Sequence, residues 1–323
     1  MFEPVIIGEI LGFPLYAYGL WVAVATGICL MLAARRARRK GLAPRTIWIF
    51  GIAAIPLGIW GGHWFYCAVR AMDLFPEYGV GILMSPWKGG FGLGGVLGGC
   101  ALSAYCAAKW TKQKPMVVMD ALAPIAPLMI ALSRLGEGLD GAGYGSYIEH
   151  EALRFFPIGI KNIYDEYFFS LFALEALVGL CLYPALLRLE KRKPLREGNI
   201  FLAFLVLFGA AQVILESLRR DQYLRWGFVR VGQLTALLMI VIAMAVFTIR
   251  ILRLRGKVGR LVVDWALVLF CTSVGVAMEF AFDKVYFLPN WLGYILMGMA
   301  LTGMAALAFS QMRRVDQLAM EGD

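Results

Sequence analysis

Long apolar segments separated by short polar stretches form the dominant pattern along this chain. A helix needs about 20 mostly apolar residues to cross the hydrocarbon core of a bilayer, and nine segments of the chain are close to that length. The pattern therefore predicts an all-α polytopic membrane bundle of about nine transmembrane helices. The predicted spans are residues 14–34, 47–69, 90–108, 116–134, 167–188, 199–217, 231–250, 261–282 and 290–311.

The basic residues are divided unequally between the two sets of loops that these spans create. One set holds 21 lysines and arginines, and the other holds 10. Cytoplasmic loops of membrane proteins carry the excess of positive charge, so the first set is assigned to the cytoplasm. With nine crossings, the N-terminus is expected outside and the C-terminus in the cytoplasm. The first apolar run is too long for a cleavable signal peptide and is followed by a basic cluster, which is typical of a retained span.

Composition narrows the classes of function. The chain is 60% hydrophobic and 16% charged, far more apolar than a soluble domain of this size needs. Its net charge of +9 arises from the loop clusters that set the topology, so no nucleic-acid partner is predicted. Only two histidines are present, which excludes a histidine-rich metal site. The six cysteines lack CxxC spacing and are interpreted as small core residues.

Two segments of the sequence stand apart from the first seven predicted spans. Residues 135–166 are too long for a tight turn and are rich in glycine, tyrosine and acidic residues, so we expect an external loop cap that carries function. Residues 256–323 hold the last two spans and a short cytoplasmic tail. The organisation predicted is a seven-helix membrane domain over residues 1–255 followed by an appended two-helix hairpin.

Charged side chains at the outer membrane boundary are the strongest candidates for chemistry. Arg134 lies among glycines and acidic residues where the fourth span ends. Ionisable groups in that setting are expensive to retain and indicate a functional site, and an arginine suits an anionic group such as a lipid phosphate. Glu216 and Arg219 end the sixth span at the same face. Glu216 is expected to face the bundle interior and pair with a cation, although an interfacial anchor explains this cluster equally well.

Three further features have two interpretations each. The glycines of residues 89–99 contain a GxGxxG pattern without a preceding strand, so a dinucleotide site is rejected. They indicate either close helix packing or backbone N–H groups that bind an anion at a helix start. Tyr18 is either an interfacial tyrosine or a ligand contact. His63 forms either a hydrogen bond between helices or part of a catalytic site.

Short motifs occur in a distinctive order between residues 4 and 255. They are Tyr18-Gly19, the run Leu32–Arg36, Trp87 with Gly89-Gly90, the glycines of 94–98, Asp120–Pro127, Arg134-Leu135-Gly136 with Gly145, and Glu216, Arg219 and Asp221 followed by Gly232-Gln233. In this order they resemble the bacterial prolipoprotein diacylglyceryl transferase family. Leu93 stands where the family has a histidine, and Gln212 stands where it has an arginine.

The resemblance implies a multi-pass transferase of the bacterial cytoplasmic (inner) membrane that uses no metal or soluble cofactor. Members of the family move a diacylglyceryl group from phosphatidylglycerol to the thiol of a lipobox cysteine in a preprolipoprotein, so these two molecules are the implied partners. The candidate catalytic residues are Arg134, Glu137, Glu216 and Tyr18. The candidate substrate-binding residues are Arg134, Gly94, Gly95, Arg219, Asp221 and His63.

Two other functions stay open. A leucine at position 93 cannot accept a proton, which favours a non-catalytic lipid-binding or partner-binding paralogue. A polar cavity in a membrane bundle also suits a lipid transporter. If the chain is an enzyme, Glu137 and His63 are the candidates to replace the missing histidine as a base.

Overall fold

The computed structural model consists mainly of α-helices, as the apolar pattern predicts. The structure describes residues 5–10, 12–138, 143–162, 164–192, 195–219, 224–226, 229–254, 256–284 and 289–322. The helices of these residues are α1 (Ala17–Arg39), α2 (Pro44–Val69), α3 (Ala71–Tyr78), α4 (Leu93–Trp110), α5 (Pro115–Leu122), α6 (Ile125–Glu137), α7 (Leu171–Arg192), α8 (Asn199–Ser217), α9 (Val231–Arg253), α10 (Val258–Lys284) and α11 (Asn290–Gly322). The strands are β1 (Ile6–Ile10), β2 (Phe13–Tyr16), β3 (Tyr144–Tyr147), β4 (Gly159–Lys161), β5 (Tyr167–Ser170), β6 (Arg225–Trp226) and β7 (Val229–Arg230).

Seven of the described helices are long and apolar enough to cross a membrane, namely α1, α2, α7, α8, α9, α10 and α11. The pair α5 and α6, bent by 41° at its break, counts as an eighth if it forms one span. Eight of the nine predicted spans therefore have a candidate helix. The predicted span 90–108 corresponds to α4, an 18-residue helix that is absent from the candidates. Its four glycines and its terminal Lys109 and Trp110 lower the mean hydropathy of α4 below that of the seven candidate helices.

The break between α5 and α6 has a local cause. Pro124 lacks the N–H group that would bond to the carbonyl group of Asp120, and its ring disturbs the preceding turn. The side chain of Arg36 in α1 donates instead to the freed carbonyl oxygens, with 3.0 Å from Nε to Ala121 O and 3.5 Å from Nη2 to Asp120 O. A single straight span over residues 116–134 is therefore replaced by two helices, and the end of α5 at the break is hydrogen-bonded to α1.

Glycine packing brings α2 and α4 into backbone contact. An added Cβ atom at Gly61 would lie 2.6 Å from the carbonyl oxygen of Gly95. One at Gly95 would overlap the carbonyl oxygen of Gly61, and one at Gly99 would overlap that of Leu57. Small residues let membrane helices approach closely in this way, so the packing interpretation accounts for Gly95 and Gly99.

Helix α8 lies at the centre of the largest buried cluster. Its Phe204 and Phe208 stack with ring centroids 5.4 Å apart, and buried residues of α9 and α11, including Phe247 and Met304, belong to the same cluster. The segment interpreted as an appended hairpin thus forms α10 and α11 and packs on α8 and α9. The division at residue 255 stays a prediction, because this packing does not define a domain boundary.

A small sheet covers one end of the bundle. Strands β3, β5 and β4 form an antiparallel sheet in that order. Strands β3 and β4 lie within the segment predicted to be an external cap, whereas β5 occupies the first four residues of the predicted span 167–188, so that α7 begins only at Leu171. The backbone N–H of Ser146 donates to the carbonyl oxygen of Leu218 over 2.8 Å, and Gly145 pairs with Arg219 as an isolated bridge. These contacts attach the cap to the end of α8, next to the charged residues of the sixth predicted span.

Candidate active site

A cavity of about 400 Å³ lies among the helix ends near the cap. Its walls combine apolar side chains from several helices with a cluster of arginines and glutamates. The lining residues include Tyr18, Phe65, Phe91, Leu93, Gly94, Leu97, Arg134, Glu137, Phe208, Gln212, Glu216, Arg219, Arg225, Arg230, Gly232, Thr235 and Met239. An amphiphile with a charged head and apolar chains matches this division of the wall.

Arg134, at the end of α6, is fixed by two carboxylates. Its Nη1 atom pairs with Glu137 one turn further along α6, and its Nε atom pairs with Glu175 of α7. The Glu175 side chain is only 2% exposed. A buried charge is stable only when it is paired and hydrogen-bonded, so Glu175 and Arg134 fix one another beside the cavity.

Arg219 shares the same buried carboxylate. Its Nη2 atom lies 3.1 Å from Glu175 Oε1, and its Nε atom lies 3.4 Å from Glu216 Oε1. Gln212, one turn before Glu216 in α8, donates from Nε2 to Glu175 over 3.3 Å and to Glu216 over 3.1 Å. The charged ends of the fourth and sixth predicted spans are therefore joined through one residue of α7.

The charges of this wall favour an anionic ligand. Among the described residues, the cavity is lined by the guanidinium groups of Arg134, Arg219, Arg225 and Arg230 and by the carboxylates of Glu137 and Glu216. Glu175 adds one more carboxylate behind Arg134 and Arg219. Four guanidinium groups thus line the cavity beside two carboxylates, and arginine side chains present several donors suited to a phosphate.

Glycine at position 232 allows α9 to approach Glu216. A Cβ atom added to Gly232 would lie 2.6 Å from Glu216 Oε2 and 2.7 Å from Oε1. Any larger residue at the start of α9 would displace the carboxylate from its contacts with Gln212 and Arg219. The position of Glu216 therefore depends on this glycine.

The glycine-rich start of α4 has two separate roles. Gly94 lines the cavity, whereas Gly95 faces the backbone of α2. Leu93, the first residue of α4, also lines the cavity. Leu93, the position at which the resemblance implies a histidine, therefore presents an apolar side chain to the same cavity as the charged cluster.

Two other candidate residues differ in their location. Tyr18 lines the cavity, and Gly136 allows it to pack against α6, because an added Cβ atom there would lie 3.1 Å from Tyr18 Cδ2. His63 is fully buried and lies outside the lining of the cavity. Its Nε2 atom is 2.8 Å from the carbonyl oxygen of Ile82 and 3.5 Å from Cys67 Sγ. Asp221 lies outside the described residues.

Glu175 was not identified from the sequence, although a signal for it is present. It is the one acidic residue in the apolar run Leu171–Leu182 that opens the fifth predicted span. An ionisable residue within a span indicates a functional site or a buried partner, and that rule alone selects it. No group of three or more His, Cys, Asp or Glu side chains in the described part of the chain could hold a metal ion.

Sequence comparisons relate the chain to a family of transferases. The sequence model of the prolipoprotein diacylglyceryl transferase family matches residues 4–249. A relative from Symbiobacterium thermophilum is 26% identical over 230 residues, which cover 70% of this chain and 85% of that protein. A relative from Listeria monocytogenes is 27% identical over 238 residues, covering 72% and 84%, and one from Enterococcus faecalis is 26% identical over 249 residues, covering 75% and 88%. All three are named phosphatidylglycerol–prolipoprotein diacylglyceryl transferase. The family match ends before α10 begins.

Proposed function

The chain belongs to the prolipoprotein diacylglyceryl transferase family, and on that premise we propose that it transfers a diacylglyceryl group from phosphatidylglycerol to a cysteine thiol of a prolipoprotein. The observation that carries the proposal is the pair of guanidinium groups, Arg134 and Arg219, held on one buried carboxylate beside a largely apolar cavity. The apolar wall suits the acyl chains, and the arginines suit the phosphate.

The reaction forms one bond and breaks another. The cysteine sulfur attacks the glyceryl carbon that bears the phosphate ester, so a C–S bond forms and the C–O bond to phosphate breaks. Glycerol phosphate leaves with the bonding electron pair, and the thiol proton passes to a base. Arg134 and Arg219 stabilise the charge that develops on the departing phosphate, and Tyr18 hydrogen-bonds the lipid or the acceptor.

Glu137 is the proposed base, because it lines the cavity and His63 does not. Its carboxylate pairs with Arg134. A lipid phosphate that binds Arg134 competes for the same donors and releases Glu137 towards the thiol. A free cysteine has a pKa of about 8.5, so a carboxylate freed by substrate assists its deprotonation only when the lipid is in place.

The remaining groups hold this arrangement. Glu216 and Gln212 orient Arg219, while Gly94, which lines the cavity at the start of α4, is proposed to contact the head group through its backbone. Asp221 is proposed to contact the substrate from the segment after Arg219. We propose that the capped end of the bundle lies outside, with the N-terminus outside and the C-terminus in the cytoplasm, and the excess of basic residues in the loops assigned to the cytoplasm supports this orientation. The seven-helix unit of residues 1–255 supplies the residues of the proposed reaction, and residues 256–323 follow it as a hairpin.

A reconstituted transfer assay tests the proposal. The purified chain is placed in nanodiscs that contain phosphatidylglycerol with labelled acyl chains, and a prolipoprotein peptide with one lipobox cysteine is added. We expect label to appear on the peptide as a thioether, and none on a peptide in which serine replaces that cysteine. The variant Arg134→Lys should lose most of the transfer, because an ammonium group lacks the planar guanidinium fork that reaches Glu137, Glu175 and a phosphate from separate nitrogen atoms. A folded wild-type chain that transfers no label contradicts the proposal.

A second candidate function is supported by one observation. Leu93 lines the cavity where a proton acceptor is expected, which suits a paralogue that binds an anionic lipid without turning it over. The same nanodiscs distinguish the two functions, because a binding protein retains phosphatidylglycerol in native mass spectra but leaves the peptide unmodified.

A further inference from the structure

An acidic side chain from α10 reaches the wall of the cavity. Glu279 Oε1 lies 3.5 Å from Arg230 Nε, and Glu279 Oε2 accepts a hydrogen bond from Gln233 Nε2 over 2.9 Å. Arg230 lines the cavity and immediately precedes α9. The family match ends at residue 249, so this contact comes from a part of the chain that the family does not describe.

The contact joins three helices near the cavity. The same Gln233 Nε2 atom lies 3.4 Å from the carbonyl oxygen of Val213 in α8, so Glu279 is held where α8, α9 and α10 meet. The Arg230 side chain is 12% exposed and that of Glu279 is 25% exposed. Both are buried enough for their charges to interact more strongly than a surface pair does.

Other polar contacts hold the hairpin together and bind it to α8 without Glu279. Within the hairpin, Asp264 of α10 pairs with Arg314 of α11 and accepts a hydrogen bond from Gln311 over 3.0 Å. Asn199 at the start of α8 donates to Asp316 of α11 over 3.0 Å. A carboxylate within an apolar helix is costly and indicates a function. Its position beside a cavity-lining arginine points to the site rather than to helix packing.

We propose that Glu279 is a positioning residue that holds Arg230 on the cavity wall, so that the hairpin α10–α11 forms part of the site that binds the anionic lipid head group. This inference rests on the proposed function for the identity of the lipid. An arginine side chain has many rotamers, and fixing it before the ligand arrives lowers the entropy lost on binding. Glu279 acts through Arg230 and does not touch the reacting atoms.

A double-mutant cycle tests the coupling. The full chain is compared in four forms, wild type, Arg230→Gln, Glu279→Gln and the double variant, each in nanodiscs. Binding of phosphatidylglycerol is measured against phosphatidylcholine, and kcat and KM are measured where transfer occurs. The exposed residues Glu321 and Arg313 on α11 provide matched controls as Glu321→Gln and Arg313→Gln. Thermal melting of every form monitors the fold.

We expect Glu279→Gln to weaken phosphatidylglycerol binding by about fivefold, within the range of coupling energies for residues in contact. KM should rise with little change in kcat. In the Arg230→Gln background the same change should have no further effect, and Glu279→Asp should restore part of the binding.

Additive effects of the two substitutions, unchanged binding, or tighter binding in Glu279→Gln would each overturn the inference. So would a loss of binding that accompanies an equal loss of melting temperature in both backgrounds. The binding arm does not depend on turnover, so a chain without transferase activity still decides the role of Glu279. Absence of transfer by the wild type contradicts the proposed function alone.

Discussion

Replacing Glu175 with glutamine tests how the arginine pair is held. The change removes one negative charge and keeps the size of the side chain. Glu175 contacts Arg134, Arg219 and Gln212 from a side chain that is 2% exposed. The glutamine leaves two guanidinium groups next to each other with their shared counter-charge removed.

The decrease in the free energy of unfolding can be calculated from the contacts of Glu175. Unit charges 3.1 Å apart, the distance from Arg219 Nη2 to Glu175 Oε1, attract by about 5 kcal/mol at an effective dielectric constant of about 20. Loss of one partner from a buried pair costs about 3–5 kcal/mol. Arg134 keeps Glu137, and Arg219 keeps Glu216 at 3.4 Å. We therefore expect the free energy of unfolding to fall by about 3 kcal/mol, the lower end of that range.

A bound anionic lipid should restore part of the stability that Glu175→Gln loses. In phosphatidylcholine nanodiscs the melting temperature of Glu175→Gln should be about 6 °C below that of the wild type. This value follows from the usual relation between free energy of unfolding and melting temperature. In phosphatidylglycerol nanodiscs the difference should shrink, because the lipid phosphate supplies negative charge to the two arginines. The control Glu151→Gln changes a side chain that is 91% exposed, and should melt within about 1 °C of the wild type.

The reasoning is refuted by either of two results. One is a Glu175→Gln protein that melts like the wild type in phosphatidylcholine. The other is a destabilised variant that gains no more from phosphatidylglycerol than the wild type does. The second result would mean that the arginines bind no lipid phosphate even when their own carboxylate is absent.

Two further changes address the wall of the cavity, and a third addresses the contact between α2 and α4. Leu93→His supplies a proton acceptor at the start of α4, and should raise kcat in the transfer assay by about tenfold or more, the scale of general-base catalysis. Gly232→Ala places a methyl group against the Glu216 carboxylate, and should lower kcat/KM by about tenfold with the fold retained. Gly99→Ala forces α4 away from α2 and should lower the free energy of unfolding by about 2–3 kcal/mol. Gly98→Ala, with open space around the added Cβ atom, is the matched control for both glycine changes.

For each of these three variants, one result would contradict the prediction. Lower or unchanged turnover in Leu93→His shows that the missing histidine does not limit the reaction. Full activity of Gly232→Ala would show that the position of the Glu216 carboxylate does not matter for transfer. Equal melting temperatures for Gly98→Ala and Gly99→Ala contradict the backbone contact between α2 and α4.

Much of the fold follows from the sequence because apolar length is a local property. Eight predicted spans correspond to candidate membrane helices or to the bent pair. The bend itself was not predicted, since Pro124 within an apolar run is compatible with a straight span until the partner of the freed carbonyl groups is known. That partner, Arg36, lies 85 residues away from Ala121 in the chain.

The site could be predicted in part for the same reason. Arg134, Glu216 and Arg219 stand out because charges at the end of an apolar segment are visible in the sequence. Glu175 connects them from a different helix, and its pairing depends on how α6, α7 and α8 pack. The glycine-rich segment also needed the structure, because only the packing separates Gly94 at the cavity from Gly95 at the helix contact.

The most direct test of the central claim is a structure of the chain determined in a phosphatidylglycerol nanodisc. We predict a lipid phosphate in the cavity, with its oxygens at about 2.7–2.9 Å from nitrogen atoms of Arg134 and Arg219 and its acyl chains along the apolar wall. Lipid phosphates found only outside the cavity, with both arginines still enclosed by their own carboxylates, would contradict the account.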